Sequence, residues 1–326
     1  MLVLSSAEVI SLLDLDALVE ALQTAMIELS AGRASVPSRV AALVPEQDAM
    51  LAAMPAYLPS AGALASKLVS LFPHNHGQPT HQALICCFDP RTGTPAAVMD
   101  GTYLTAARTA AGSALATRLL ARPDATQVAV IGTGVQAHAH ARALARLPGV
   151  QTLRIAGRDP GRANAAASEL AAAGIPAQAA ASIEEAARSA DIVCTTTHAA
   201  HPVLRREWLR PGTHINSVGY NTSGAGELDT ATIQDALVVV ESRAAALAPP
   251  PAGAVELRRA IDQQAIDAGH IAAEIGQVAA GTAPGRTGDA QLTLYKSVGV
   301  AAQDAAAAAL ILAAAQQQGA GTSVTL

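Results

Sequence analysis

The stretch "VAVIGTGVQAHAHARALARL", residues 128–147, constrains the fold more than any other part of the chain. An apolar strand runs into Gly132-Thr133-Gly134-Val135-Gln136-Ala137 and then into a helix. G-x-G-x-x-A in that strand-turn-helix setting is the fingerprint of a dinucleotide site. Gly132 permits the tight turn, Gly134 lets a pyrophosphate approach the backbone, and Ala137 lets helix and strand pack closely. Free N–H groups at the helix start then face the phosphates.

Which dinucleotide binds depends on the end of the next strand. An acid there suits the ribose 2′-hydroxyl of NAD, and an arginine suits the 2′-phosphate of NADP. The sequence "LRIAGRDPGR" places Gly157 and Arg158 at that point, with Asp159 one later and Arg162 close by. Arg158 can fork onto a phosphate, so NADP(H) is favoured over NAD(H). Asp159 on the ribose is the competing arrangement.

Around the fingerprint, strands are predicted at residues 127–131, 152–156, 192–196, 214–218 and 237–240, with alanine-rich helices between the earlier ones. That alternation implies a parallel sheet with crossover helices. Residues 5–31 read as one helix capped by Ser6, residues 102–121 as a second and residues 297–318 as a third. Residues 38–88 hold strand-length apolar runs broken by Pro, Gly, Asp and Asn, and "DPRTGTP" links "CCF" to "AAVMD" as a hairpin. The fold class expected is α/β: a Rossmann-type dinucleotide-binding domain plus an N-terminal α/β domain. The boundaries are residues 1–117, completed by a C-terminal helix at 305–326, and residues 118–304.

Of the 326 residues, 51% are hydrophobic and only 2% aromatic, so small side chains must fill the core. A net charge of -5 with scattered Lys and Arg gives no basic patch for nucleic acid. The three cysteines lie in apolar runs and make no disulfide framework, as in a cytoplasmic protein. The start of the chain lacks a positive n-region, and no apolar run approaches a membrane span, so a soluble chain is expected.

"MPAY", "SKLVSLFP", "LTAARTAAGSALA", "VIGTGVQA", "ADIVCTTT", "PGTHINSVG", "GELD" and "TLYKSVGVAAQD" occur in this order over nearly the whole chain. With them the sequence resembles the ornithine cyclodeaminase/mu-crystallin family. The resemblance implies an N-terminal substrate and dimerisation domain, a Rossmann domain, and a C-terminal helix returning to the first. It implies a homodimer acting on a small, amino-acid-like molecule whose nitrogen-bearing carbon neighbours a carboxylate.

In the family pattern the carboxylate is gripped by basic residues that map onto Arg39, Lys67 and Arg108. The residues themselves agree, since Lys67 interrupts an apolar strand and Arg108 begins an apolar helix. Arginine's fork matches a carboxylate, lysine adds a point charge, and the two can favour the electron-rich carbon of hydride transfer. The resemblance also places Met54 and His81 at the substrate, although a turn or core histidine fits His81 equally well. It places Thr109, Thr133, Val135, Gln136, Thr196, Thr197, Val218, Lys296, Ser297 and Gly299 along the cofactor. Asp304, within the last helix, either lies near the chemistry or pairs locally.

In the cyclodeaminases the loop after "HIN-x-(V/I)-G" carries an aspartate that binds the amine and moves protons. Here "HINSVGYN" puts Asn221 at that position. An amide is no general base near neutral pH, and cyclodeamination needs one. A ketimine reductase needs it less, because its protonated C=N brings its own charge, and Asn221 can accept a hydrogen bond from it. NADPH-dependent reduction of a cyclic ketimine acid, such as 1-pyrroline-2-carboxylate or 1-piperideine-2-carboxylate, is therefore the leading expectation. An NAD-recycling, ammonia-releasing cyclodeaminase or an alanine dehydrogenase-type enzyme is second, and a non-enzymatic binding protein third. The proton donor stays open among water, substrate and side chain.

"PHNHGQPTHQ" brings His74, His76 and His81 close in sequence, but no Cys or clustered carboxylate completes a ligand set, and no metal is expected. His138 and His140, two apart on a helix, face apart and are expected at the surface. Glu227 and Asp229 lie too far along their loop to replace the missing aspartate.

Overall fold

The computed structural model describes residues 1–219, 224–250 and 252–325. Its chain divides into two units, Met1–Arg108 with Gly299–Leu326, and Thr109–Val298. The first unit opens with β1 (Leu2–Leu4), α1 (Ser6–Leu12) and α2 (Leu15–Ser30). The strands β2 (Val40–Val44), β3 (Ala49–Leu58), β4 (Ala63–Leu71), β5 (His81–Phe88) and β6 (Pro95–Asp100) follow. The helix α3 (Thr102–Leu120) runs across the division, and α11 (Ala301–Gln318) and β15 (Thr322–Ser323) come from the far end of the chain.

The seven strands form one sheet in the order β15-β1-β6-β5-β4-β3-β2. The strands β2 to β6 pair antiparallel, the expected hairpin from β5 to β6 among them, while β1 lies parallel to β6. One face carries Met50, Ala52, Met54, Ala56 and Leu58, all buried. The helix α11 packs on it, and its alanines 305–308 are buried, because small side chains let helix and sheet approach closely. The register puts Val40, Leu51, Leu68 and Leu84 together on the opposite face, 67, 49, 37 and 52% exposed.

The single helix expected at residues 5–31 is two. Leu13 turns extended, and the Asp14 carboxylate accepts from the N–H groups of Asp16 and Ala17, starting a new helix. The first helix is capped by Ser5, not Ser6. Ser5 accepts from the Glu8 N–H, and the Glu8 carboxylate returns a 2.8 Å bond from the Ser5 N–H.

The second unit alternates as expected: β7 (Gln127–Ile131), α4 (Val135–Leu144), β8 (Thr152–Ala156), α5 (Pro160–Ala172), β9 (Ala177–Ala179), α6 (Ile183–Ser189), β10 (Ile192–Thr195) and β11 (His214–Ser217). Then come α7 (Thr230–Asp235), β12 (Ala236–Val240), α8 (Arg243–Ala246), α9 (Val255–Asp262), β13 (Ile271–Glu274), α10 (Ile275–Ala279) and β14 (Leu292–Lys296). All eight strands pair parallel, in the order β13-β12-β14-β11-β10-β7-β8-β9. Their apolar runs are buried, as both faces of such a sheet require. The winding reverses between β7 and β10, the switch point where open α/β sheets take ligands. This is a Rossmann-type domain.

Three strands of the second unit went unpredicted, as did β1 and β15 of the first. β9 and β13 are short. "LTLYK", expected as the approach to a helix, is β14, inserted between β11 and β12. Among the described residues no helix is long and apolar enough to cross a membrane.

Candidate active site

In the second unit β7 ends in Ile131, fully buried, and the backbone turns at Gly132 with φ +136. A Cβ on Gly132 would stand 2.3 Å from Thr196 Oγ1. Gly134 caps α4 in an extended conformation with no side-chain hydrogen bond to the helix start, and a Cβ there would meet nothing within 4 Å. The helix therefore presents its first N–H groups to open space, with Val135 71% exposed beside them. The Gln136 Oε1 atom is buried and accepts no hydrogen bond from the protein. Ala137 packs against Val128 and Val130. A glycine turn, an uncapped helix and open space above them fit a dinucleotide pyrophosphate.

At the end of β8, Gly157 approaches Thr133, whose Cγ2 would lie 3.1 Å from a Cβ at position 157. Asp159 caps α5, its carboxylate accepting from Gly161 N at 2.8 Å and Arg162 N at 3.2 Å. Arg158 and Arg162 are exposed. Beside the turn, Thr196 Oγ1 donates to the Ile131 carbonyl at 3.1 Å, and the Val218 N–H donates to the Thr195 carbonyl at 3.0 Å.

Lys296 and Ser297, at the end of β14, are both buried and held by carboxylates of this unit. Lys296 is 1% exposed, and its ammonium lies 2.9 Å from a Glu256 carboxylate oxygen. Ser297 Oγ donates to Glu241 at 2.7 Å. Thr109, at the start of this unit, is buried in α3.

The first unit gathers the basic residues. Lys67, at the middle of β4, is flanked by Met54 on β3 and Ile85 on β5. It is 2% exposed, Arg108 5% and Asp304, in the first turn of α11, 1%. Lys67 Nζ lies 3.0 and 2.9 Å from the two Asp304 oxygens, and Arg108 Nε donates to Oδ1 at 2.9 Å. Arg108 Nη1 donates to Gln303 Oε1 at 2.8 Å, and Arg39 Nη2 to the Gly299 carbonyl at 2.9 Å. Gly299 has φ +75, and a Cβ there would press on the Arg108 guanidinium at 3.0 Å.

Burial pulls the Lys67 ammonium down to about 8, with Asp304 opposing and Arg108 and Arg39 assisting. Burial alone would raise Asp304, but Arg108 and Lys67 together outweigh it and hold the carboxyl below its ordinary value. Two cations on one carboxylate leave the trio with a net positive charge, suited to a further anion.

Arg39, Met54, Lys67, Arg108, Gly299 and Asp304 thus belong to one neighbourhood. His81 does not: it starts β5 opposite Leu71, four residues along the ladder from the Lys67 pairing, or roughly 13 Å. Asn221 lies outside the described residues.

His140, expected at the surface, is fully buried. Its Nε2 meets Ser113 Oγ at 3.0 Å, and burial pushes it down to about 4, so it is neutral. The spacing argument holds, since His138 faces outward to Glu169; two residues that face apart on a packed helix put one inside.

Gln303 and Glu256 carry no signal in the sequence, and Glu227, weighed there only as a replacement for the missing aspartate, turns out to be buried. Glu227 is 2% exposed and accepts from Thr195 Oγ1, Thr197 N and Gly219 N. Nothing in sequence spacing announces such long-range partners.

The model of the Ornithine cyclodeaminase/mu-crystallin family matches residues 1–319. The ketimine reductase mu-crystallin of Mus musculus is 36% identical over 270 residues, 82% of this chain and 81% of its own. The structure of Thermococcus litoralis Delta(1)-pyrroline-2-carboxylate reductase in complex with NADH and L-proline superposes with a TM-score of 0.94. It is 36% identical, covering 99% of this chain and 100% of the other. An archaeal alanine dehydrogenase dimer with bound NAD gives a TM-score of 0.92 at 34% identity, over 100% and 99% of the two chains. The chain belongs to the ornithine cyclodeaminase/mu-crystallin family.

Proposed function

We propose that this protein is an NAD(P)H-dependent imine reductase that converts a cyclic ketimine 2-carboxylate, such as 1-pyrroline-2-carboxylate or 1-piperideine-2-carboxylate, to the L-amino acid. The observation that carries the reading is the buried pair Lys67 and Arg108, whose charge exceeds that of the single carboxylate between them. An anionic substrate supplies the missing charge. Arg39 and Arg108 offer it forked donors and Lys67 a point charge, while Met54 beside Lys67 gives the ring an apolar neighbour. The relative with NADH and L-proline bound carries the product of this reaction class.

The nicotinamide, when bound, supplies a hydride to the imine carbon. The protein's part is to grip the carboxylate, whose fixed cations favour charge building at the adjacent carbon. The imine enters protonated, so no side chain must deliver a proton before the transfer. Position 221 brings an amide, a hydrogen-bond acceptor for the iminium N–H. Asp304 keeps Lys67 charged and points it, and Gln303 fixes the orientation of the Arg108 guanidinium.

NADPH is the preferred cofactor on this reading. One oxygen of the Asp159 carboxylate is engaged in capping α5, and Arg158 and Arg162 are exposed beside it for a 2′-phosphate. The Val40, Leu51, Leu68 and Leu84 face is an apolar surface of the kind a symmetric partner covers, and we assign it to a homodimer. The free cysteines Cys86, Cys87 and Cys194 suit the reducing cytoplasm.

The similarity to an alanine dehydrogenase supports oxidative deamination as the second reading. One assay separates them. Purified protein is given NADPH or NADH with cyclic ketimines, and L-ornithine or L-alanine with the oxidised cofactors. Stoichiometric cofactor oxidation with a ketimine is expected. Ammonia release from L-ornithine without net cofactor oxidation would refute the proposal.

A further inference from the structure

Glu227, Glu256 and Lys296 lie buried together in the second unit, 2, 3 and 1% exposed, around the Ser217 hydroxyl. Charges this deep are costly to bury unless their partners are well placed. The partners of Glu227 come from the ends of two strands. From the end of β10, Thr195 Oγ1 donates at 2.7 Å and the Thr197 N–H at 2.5 Å. From the end of β11, the Gly219 N–H donates at 2.8 Å and Ser217 Oγ at 3.3 Å. One carboxylate oxygen takes Thr197 and the other takes the rest.

The approach is too close for any side chain at position 219. A Cβ there would stand 2.1 Å from Glu227 Cδ and 2.4 Å from the Thr197 carbonyl oxygen. Lys296 holds the same residue from its other end, donating to the Gly219 carbonyl at 3.2 Å. Glu256 pairs with Lys296 and lies under Gly226, where a Cβ would meet it at 2.9 Å. Thr196, between the two anchored threonines, is the residue whose Oγ1 confronts Gly132. The carboxylate thus sets the spacing of the wall against which the nucleotide turn is built.

We propose that Glu227 is a positioning residue for the nucleotide site, holding Thr195–Thr197 and Gly219 in one frame that the Glu256–Lys296 pair braces. This rests on the reading of the glycine turn as a nicotinamide dinucleotide site. Glu227 touches neither substrate nor cofactor; it acts through the backbone it fixes.

The test compares wild type, Glu227→Gln and Glu227→Asp, with Glu28→Gln as control. An amide has only one oxygen, so Glu227→Gln must turn an N–H toward either Thr197 or Gly219. The aspartate keeps the charge and loses the reach. Both variants are expected to weaken the Kd for NADPH, read by its fluorescence, about tenfold or more, with the substrate KM changed less than about threefold. Glu28, a buried carboxylate of the first unit held by Ser60, should lose stability on substitution and keep its NADPH affinity. In wild-type protein, where no variant can misfold, hydrogen exchange at the Thr197 and Gly219 amides should slow when NADPH binds. Wild-type NADPH affinity in both folded variants, or amides indifferent to NADPH, would overturn the inference alone. Failure of the wild type to bind either NADPH or NADH would instead sink the nucleotide reading, and this inference with it.

Discussion

Replacing Asp304 by Asn should destabilise the protein by an amount that depends on pH, and the structure sets the scale. Lys67 and Arg108 both lose their counter-ion at contacts of 2.9–3.0 Å. Arg108 cannot shed its proton. It keeps Gln303 and a neutral amide oxygen, so its loss is the charge assistance of a buried hydrogen bond, about 1–3 kcal/mol.

Lys67 has an escape. Its pKa in the folded protein is about 8 with Asp304 present and falls further without it. The variant can therefore fold with a neutral lysine. At pH 7 that costs one pH unit relative to wild type, about 1.4 kcal/mol; at pH 6 it costs about 2.7 kcal/mol. At pH 9 the lysine is mostly neutral in both proteins and the term vanishes. The sign follows from proton counts: below pH 8 the unfolded variant binds a proton that its folded form has given up, so its stability rises with pH. The total is about 2–4 kcal/mol at pH 7, larger at pH 6 and about 1–3 kcal/mol at pH 9. Urea unfolding of both proteins at the three pH values measures it. A loss independent of pH would refute the assignment of Asp304 as the group that keeps Lys67 charged.

The remaining predictions concern binding and assembly. The Ki of a simple carboxylate competitor should rise as pH passes through about 8, where Lys67 loses its charge, and Lys67→Met should raise Ki at pH 7 and flatten that profile; a wild-type Ki constant from pH 7 to pH 9 would contradict it. Arg158→Asp should lower the ratio of kcat/KM for NADPH over NADH at least about tenfold, and an unchanged ratio would remove the basis for preferring NADP. Leu84→Glu, on the exposed apolar sheet face, should turn a dimer into a monomer by light scattering; a dimer that survives would place the interface elsewhere.

What the sequence disclosed follows the range of the interactions. The strand β7 with its glycine turn, and the hairpin from β5 to β6, depend on neighbours a few residues away, so pattern and turn chemistry suffice. The break at Asp14 is local too, but a capping aspartate inside an apolar run looks like a solvated helix face. β14 was missed because a strand so late in the chain enters the middle of a sheet only when tertiary pairing calls for it. The cation cluster was legible because Lys67 and Arg108 violate their apolar surroundings. Glu227 violated nothing visible: in "GAGELD" it looks like an ordinary loop acid, and only Thr195, Thr197 and Gly219 reveal its burial.

The division of the chain has a temporal side. The carboxylate that neutralises Lys67 and Arg108 is translated 237 residues after the one and 196 after the other. By the time it leaves the ribosome, all of Thr109–Val298, an uninterrupted segment with its own parallel sheet, is already outside. Domains fold as units while they are being made, so the nucleotide unit can be complete while the first sheet still lacks α11. Until Asp304 emerges, two cations destined for burial must stay in water, so the first unit closes only after the segment of the second is outside.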